Sequence, residues 1–515
     1  MPDRRILAVA FVLTACSLAV LWLTDVPLGV PGEWEWSRIA AGRDQLQEGL
    51  VGAMTAAIGA VLYLAVVWLG AKRLLDCTRI EAGTWLAVLL CIAFGWLWIV
   101  QQSPTQQNRL QKFAFVLYYR GSSGYFYEAR HETRPVPAFL AAYEDKMREG
   151  DVLHIGTHPP GLFLLHRGLI QLVERSPALT RFLNQTQPRE VDQMFNEIER
   201  FDPLLPRDRA AIWLASLLTQ LAAVATVLPI YLLLRAEYSR ATSWLTSALW
   251  PLVPALAVFL PKSDAVYPLL AMTFLLCWYR SFHQRSAIYG SLAGLCLFGG
   301  LLLSLALIPV IVMAGLWTCW RAWCSRPEAS LSDACRALAG PLIGLTLGFF
   351  TPVIALWLCF DFNSLMVWWL NYQNHAGFYD QYTRTYWKWL VVNAFELAYG
   401  VGVPVTVLML AAWMRLRSSG STWRSERLAP YLCCAAVWGL LWISGKNMGE
   451  AARLWLVMMP WPIWLSAAYF DEGKQPAAAH SSTKDNALIR RWLPFGVLQA
   501  IACAVTVLAV YGFRT

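Results

Sequence analysis

The chain has 515 residues, of which 57% are hydrophobic and 15% charged, with 27 tryptophans and a mean hydropathy of +0.44. Soluble domains carry about 25% charged residues, so these figures exclude a soluble enzyme and a disordered scaffold and indicate a multi-pass membrane protein. The net charge of +9 reads as a topology signal rather than a nucleic-acid surface, because the basic residues fall in short loops between apolar runs.

In chain order, apolar runs of about 20 residues, enough for the ~30 Å hydrocarbon core, lie near 6–24, 49–70, 83–101, 210–234, 243–260 and 266–283. Others follow near 287–303, 304–320, 334–360, 389–414, 428–445, 454–470 and 491–512. Only helices can cover such runs, since lipid offers backbone polar groups no partner. The expectation is an all-α polytopic protein with about 13 transmembrane helices. The stretch 287–320 is too long for one helix and is split near Ser304 into a tight hairpin.

Alternate loops collect the basic residues: MPDRR, AKRLLDCTR, LRAEYSR, YRSFHQR, WRAWCSR, RLRSSGSTWRSER and the IRR before the last run. Those stretches hold 17 Lys and Arg against 8 in the short loops opposite. The positive-inside rule then expects a cytoplasmic N-terminus, an extracytoplasmic C-terminus and residence in the cytoplasmic (plasma) membrane. The first run reads as an anchor, because no small-residue cleavage site follows LWLTDVPLG. The 12 cysteines lie in apolar runs or cytoplasmic loops, outside the polar insert, without the clustered spacing of a zinc site or disulfide framework.

Four polar motifs fall on the expected outer side. The longest is an insert over 102–207, containing GSSGYFYEARHETR (Gly121–Arg134) and DVLHIGTHPPG (Asp151–Gly161). Its aromatic, Leu and His content is not that of a disordered linker, and inserts of this length tend to carry function. Residues 137–149 read as an amphipathic helix, GTHPPG as a rigid corner, and LFLLHRGLIQLVE as a second interfacial helix. The other motifs are PKSDAVYP (Pro261–Pro268), NYQNHAGFYDQYTRTYW (Asn371–Trp387) and GKNMGEAARLW (Gly445–Trp455). His154 and His158 are four apart, but Pro159 and Pro160 argue against the helical spacing of a metal pair.

The order of these motifs resembles the GT-C superfamily, integral-membrane glycosyltransferases such as the protein O-mannosyltransferases and the lipid A aminoarabinose transferases. In those families an outer loop reads Asp-Glu…Tyr…Ala and then Lys-Pro-Pro-Leu. The matching stretch is Ser122-Ser123-Gly124-Tyr125-Phe126-Tyr127-Glu128-Ala129, then His158-Pro159-Pro160-Gly161. Asp264 matches an Asp-initiated helix of those enzymes, and GEAARLW resembles a Gly-Glu-x-x-Arg-Leu-Trp element of bacterial relatives. The departure is Ser122-Ser123, where the families carry an acidic pair. The resemblance covers residues 83–360 well and the remainder loosely. It implies a catalytic core in 83–360 that includes the insert 102–207; two extra transmembrane helices in 1–82 precede this core, a second departure, and a C-terminal region in 361–515 with outer loops 361–388 and 446–453 follows it.

The implied activity moves a monosaccharide from a polyprenyl-phosphate donor to an extracytoplasmic acceptor, whether glycan, lipid or protein. Such a reaction needs a carboxylate to accept the hydroxyl proton, cations to hold the phosphate and aromatic faces for the sugar. Glu128, Glu132 and Asp151 are the candidate bases. Arg453, Lys446 and Lys262 are candidate phosphate ligands. Arg130, His131, His158, Asp264, His375, Tyr379, Tyr382, Arg384 and Glu450 are candidate substrate contacts. Glu450 and Arg453 share a helical face at i,i+3. No metal or other cofactor is indicated. The expected partners are membrane lipid, donor and acceptor, with no nucleic acid. The alternatives are a lipid-linked saccharide flippase or transporter, and a glycan ligase or polymerase using a lipid-diphosphate donor. A transporter should show mid-span ionisable residues and internal repeats; the sequence has few of the former and no evident repeat.

Overall fold

The computed structural model describes residues 2–39, 46–74, 77–105, 108–150, 155–325, 331–418, 427–471 and 482–513. The fold is 81% helical, and among the described residues eight helices are long and apolar enough to cross a membrane. Three shorter apolar helices accompany them, Ala287–Leu303, Ala429–Ser444 and Leu456–Phe470. Large apolar side chains such as Phe11, Leu23, Leu358 and Ile443 stand exposed on the outside of this bundle, as lipid-facing residues do. The class is therefore an all-α, multi-pass membrane protein.

Its centre is the stretch 240–259, read from the sequence as one span over 243–260. The structure breaks it into helix Arg240–Ser247, a 3-10 turn Trp250–Leu252 and helix Pro254–Phe259. Pro251 and Pro254 each start a new piece, since proline lacks the N–H that would continue the old one. Freed carbonyls inside a bilayer must find other donors, and here they do. Tyr63 donates its hydroxyl to the Ala248 carbonyl at 2.7 Å, and Trp96 donates Nε1 to that of Pro251 at 3.0 Å. Gln499 Nε2 reaches the Leu252 carbonyl at 3.1 Å. Gln101 serves Ala257, and the buried Lys112 ammonium reaches the Val258 carbonyl at 3.4 Å. Burial pushes Lys112 down to about 7.

A second break corrects the expected span 389–414. Helices Tyr386–Val401 and Val403–Ser418 meet at a 100° bend. Gln499 spans this break too: its Nε2 donates to the Val401 carbonyl at 2.8 Å and its Oε1 accepts the Val405 N–H at 3.4 Å. Gly402 at the bend has φ +96°, and a Cβ there would lie 2.2 Å from the same amide. Only glycine fits.

The split near Ser304 appears where the sequence placed it, but not as a tight hairpin: Ala287–Leu303 packs on Tyr267–Gln284 and Leu331–Phe360, whereas Ile308–Ser325 packs on Ala429–Ser444. Helix Ala287–Leu303 ends at Ser304, whose hydroxyl accepts the Ala306 N–H at 3.2 Å, and helix Ile308–Ser325 follows. Helix Ala287–Leu303 packs backbone to backbone on Leu331–Phe360. A Cβ on Gly294 would sit 2.3 Å from the Leu345 carbonyl, and one on Gly344 would sit 2.1 Å from that of Ala287. Such small residues let membrane helices approach closely.

The insert runs between the end of helix Arg79–Gln102 and the start of Pro206–Ala225. Among its described residues are seven α-helices, from Gln111–Tyr118 to Arg189–Glu199. The single helix expected over 137–149 is two, Val136–Ala141 and Tyr143–Arg148. Helix Gly161–Arg175 stands where the second interfacial helix was expected. A local core of Tyr125, Phe139, Tyr143, Leu162 and Phe163 closes on Phe362 and Val367, tying the insert to the segment after Leu331–Phe360.

Candidate functional site

Three polar loops meet at the insert end of the bundle. The first follows the broken centre. The Lys262 N–H donates to the Phe259 carbonyl at 2.8 Å, and a 3-10 turn Ser263–Ala265 leaves Lys262 and Asp264 only partly buried. Tyr267 then donates its hydroxyl to Ser263 Oγ at 3.2 Å.

The second loop is 445–455. Gly445, Gly449 and Glu450 all have positive φ, which winds the chain tightly before helix Ala451–Leu454. Glu450 and Arg453 form the expected i,i+3 ion pair. The loop is fastened from outside: Tyr379 donates to the Lys446 carbonyl at 2.7 Å and accepts the Met448 N–H at 2.8 Å. Asn393 Nδ2 donates to the Asn447 carbonyl at 2.8 Å, and the Ala452 N–H donates to Glu396 Oε1 at 3.2 Å.

The third comes from the insert. Gly124, at φ +69°, starts helix Tyr125–His131 with Tyr125 buried. The His158 ring meets the Tyr125 ring edge-on at 5.2 Å, and the Tyr143 hydroxyl holds the His158 carbonyl at 2.7 Å. The Thr-His-Pro-Pro corner is thereby pressed against Tyr125.

The charges of these loops act on one another. Burial, and then the neighbouring Arg453 guanidinium, push Lys262 down to about 8 against the opposing pull of Glu450 and Asp264. Burial would lower Arg453 as well, but Glu450, Asp264, Tyr125 and Tyr267 around it hold it above the ordinary arginine value. Burial raises the Tyr125 phenol well above its usual range, with Tyr267 and Asp264 adding to the effect. Arg453 Nε is buried and has no hydrogen-bond partner among the described residues. A guanidinium with an unspent donor beside a lysine, at the mouth of an apolar bundle, can grip a phosphate.

Of the candidate bases, Glu128 is buried but pairs with Arg120 at 2.9 Å, the latter 60% exposed. It is not among the charges acting on Arg453 or Lys262. Glu132 pairs with Lys146 at 3.4 Å, and Asp151 lies outside the described residues, as does His154. Two carboxylates do stand in the cluster, Glu450, which is ion-paired with Arg453, and Asp264.

Arg130, expected at the substrate, is spent on ion pairs to Asp202 at 2.9 Å and Asp208 at 3.2 Å. It ties helix Tyr125–His131 to the start of Pro206–Ala225. The His131 ring lies against that of Tyr127 at 4.5 Å. Lys446 lies over the Tyr372 ring at 5.1 Å, while His375 and Tyr382 are exposed, Tyr382 stacking on Phe378. Arg384 donates to the Glu33 carbonyl at 2.6 Å. Segment 375–389 thus braces loop 445–455 and meets residue 33 of the loop after Pro2–Leu23.

Three residues were missed. Glu33 accepts the Thr385 N–H at 2.8 Å and Trp389 Nε1 at 2.6 Å, which fixes the start of helix Tyr386–Val401. Glu396 is a buried acid inside that helix, holding Trp36 Nε1 at 3.1 Å as well as Ala452, with Oε2 unbonded among the described residues. It was visible as a lone acid in an apolar run, which is a functional signal by default. Tyr125 lies within the GSSGYFYEARHETR motif, and nothing in that pattern sets it apart from its aromatic neighbours. Among the described residues no three His, Cys, Asp or Glu side chains gather as a metal site, and the cysteines are free thiols.

No protein-family model matches the chain, and no curated protein matches it significantly.

Proposed function

We propose that the protein is a membrane transferase of the GT-C type, moving a sugar from a polyprenyl-phosphate donor to an acceptor hydroxyl at the outer leaflet. The observation that carries this reading is the meeting of Lys262, Asp264, Glu450, Arg453 and Tyr125, drawn from three distant loops. In the step it supports, the acceptor oxygen attacks the anomeric carbon and the carbon–oxygen bond to phosphate breaks. The phosphate leaves with the electron pair, stabilised by Arg453 and Lys262. Asp264, which acts on both Arg453 and Lys262, takes the hydroxyl proton in place of Glu128, which is paired with Arg120.

The same reading assigns thirteen crossings: the eight long helices, the bent pair, the three shorter apolar helices and the broken stretch 240–259. With the basic loops cytoplasmic, the insert and the cluster lie outside. The core is 83–360, with residues 1–82 and 361–515 bracing it from either side.

Broken helices and the buried Glu396 are features of transporters, which makes transport the second reading. In transporters the freed backbone lines a substrate cavity. Here the carbonyls at Ala248, Pro251, Leu252, Ala257 and Val401 are already held by side chains, which favours a structural role for both breaks.

The test is to incubate the purified protein in lipid with labelled polyprenyl-phosphate sugars and an extract of envelope acceptors. Release of free polyprenyl phosphate, abolished in Arg453→Ala and not restored in Arg453→Lys, supports the reading. Donor translocation without release in the same vesicles would favour transport instead.

A further inference from the structure

A second polar site lies at the other end of the bundle. Helices Val227–Leu234 and Tyr267–Gln284 end side by side there and leave a groove of about 400 Å³. Arg235, Arg280, His283 and Tyr279 line one part of it, and Leu232 and Leu276 another. No carboxylate lines it among the described residues. The acid closest in sequence, Glu237, acts on Tyr238 and Tyr431.

The cations are held in place before any ligand arrives. Arg235 donates to the Tyr238 carbonyl, and the Arg280 guanidinium lies 5.7 Å over the Tyr289 ring. Arg321, from helix Ile308–Ser325, adds a third guanidinium 3.2 Å from His283 Nε2 and 6.0 Å from the Tyr279 ring. Fixed guanidiniums lose little freedom on binding an anion, and their fork matches phosphate oxygens.

Position says which phosphate. The candidate membrane spans end at Leu234 and Gln284, so the groove sits at the depth of lipid headgroups. Its apolar part leads to the exposed Leu232, with exposed Leu221 and Leu218 further along the same helical run. Spacings of three and eleven residues put these leucines on one helical face. We propose that this groove binds the phosphate headgroup of an anionic membrane lipid, Arg235 and Arg280 holding the phosphate while an acyl chain lies along Leu232, Leu221 and Leu218. The site is remote from the Arg453 cluster and takes no part in the transfer step.

The full-length protein, delipidated in a neutral detergent, is given phosphatidylglycerol or phosphatidylcholine and the retained lipid is measured by native mass spectrometry. Wild type should retain phosphatidylglycerol selectively. The Arg235→Gln/Arg280→Gln variant should bind it roughly thirtyfold more weakly, the scale of two basic residues at a membrane surface. If that variant fails to fold, Arg280→Gln alone should weaken binding about fivefold. Millimolar inorganic phosphate should leave the lipid bound. Equal retention of the two lipids, unchanged binding in a folded variant, or full displacement by inorganic phosphate would each overturn the proposal.

Discussion

The broken centre at 240–259 and the cluster around Arg453 are both polar interruptions of an apolar bundle, yet the carbonyls freed at the first find donors within the chain, whereas a charged donor of the second does not find an acceptor among the described residues. At the centre, carbonyls freed by Pro251 and Pro254 are matched by Tyr63, Trp96, Gln499 and Gln101. At the cluster, Arg453 Nε is left without a partner among the described residues, and burial with the neighbouring Arg453 charge depresses Lys262 to about 8. A group satisfied within the chain serves the fold, whereas one held ready but unsatisfied is available to a ligand. Substitutions at the first site should cost stability, and at the second, activity.

The largest expected effect is at the cluster. Arg453→Ala should lower transfer by about 10²–10³-fold, the scale for removing one preorganised donor, with its melting temperature close to wild type. Asp264→Asn should cost about 10²–10⁴-fold if it removes the base. A large loss of thermal stability in both would place them with the centre instead. Next comes Gln499→Leu, which strands the Leu252 and Val401 carbonyls and the Val405 N–H. It should destabilise the fold by on the order of 3 kcal/mol, since each stranded buried group costs about 1–3 kcal/mol. Thermal unfolding in detergent measures this, and activity per folded molecule should persist.

A smaller effect concerns pH. The Lys262 value is depressed to about 8, so the free protein loses this positive charge as pH rises through about 8. Donor KM should therefore rise above that pH in wild type and stay flatter in Lys262→Arg; parallel profiles would remove Lys262 from the donor site. The smallest effect should be Glu128→Gln. Its partner Arg120 is largely exposed, and ion pairs with an exposed member contribute at most about 1 kcal/mol. Transfer rates should change less than about threefold, and a dead enzyme would return the role of base to Glu128.

What was legible in the sequence follows the same division. Helix ends set by local chemistry were readable, such as the limits of the insert and the turn at Ser304. The breaks were not. Pro251 could have kinked a continuous helix, and the 100° bend at Gly402 depends on Gln499, about a hundred residues away. Loops carrying Lys262, Asp264, Glu450 and Arg453 stood out because charges are rare in this chain. Which acid joins them was hidden, because the pairing of Glu128 with Arg120 and of Arg130 with Asp202 and Asp208 is settled by tertiary packing. Glu396 was overlooked because a single acid barely alters the hydropathy of its run.

The central claim is that the Arg453 cluster holds a lipid-linked phosphate. It is tested most directly by measuring polyprenyl-phosphate binding to the purified protein and to its variants. Wild type should bind, and Arg453→Ala should bind at least about tenfold more weakly, the effect of losing one charge-assisted contact of about 1.4 kcal/mol. Equal binding by wild type and Arg453→Ala would contradict the account.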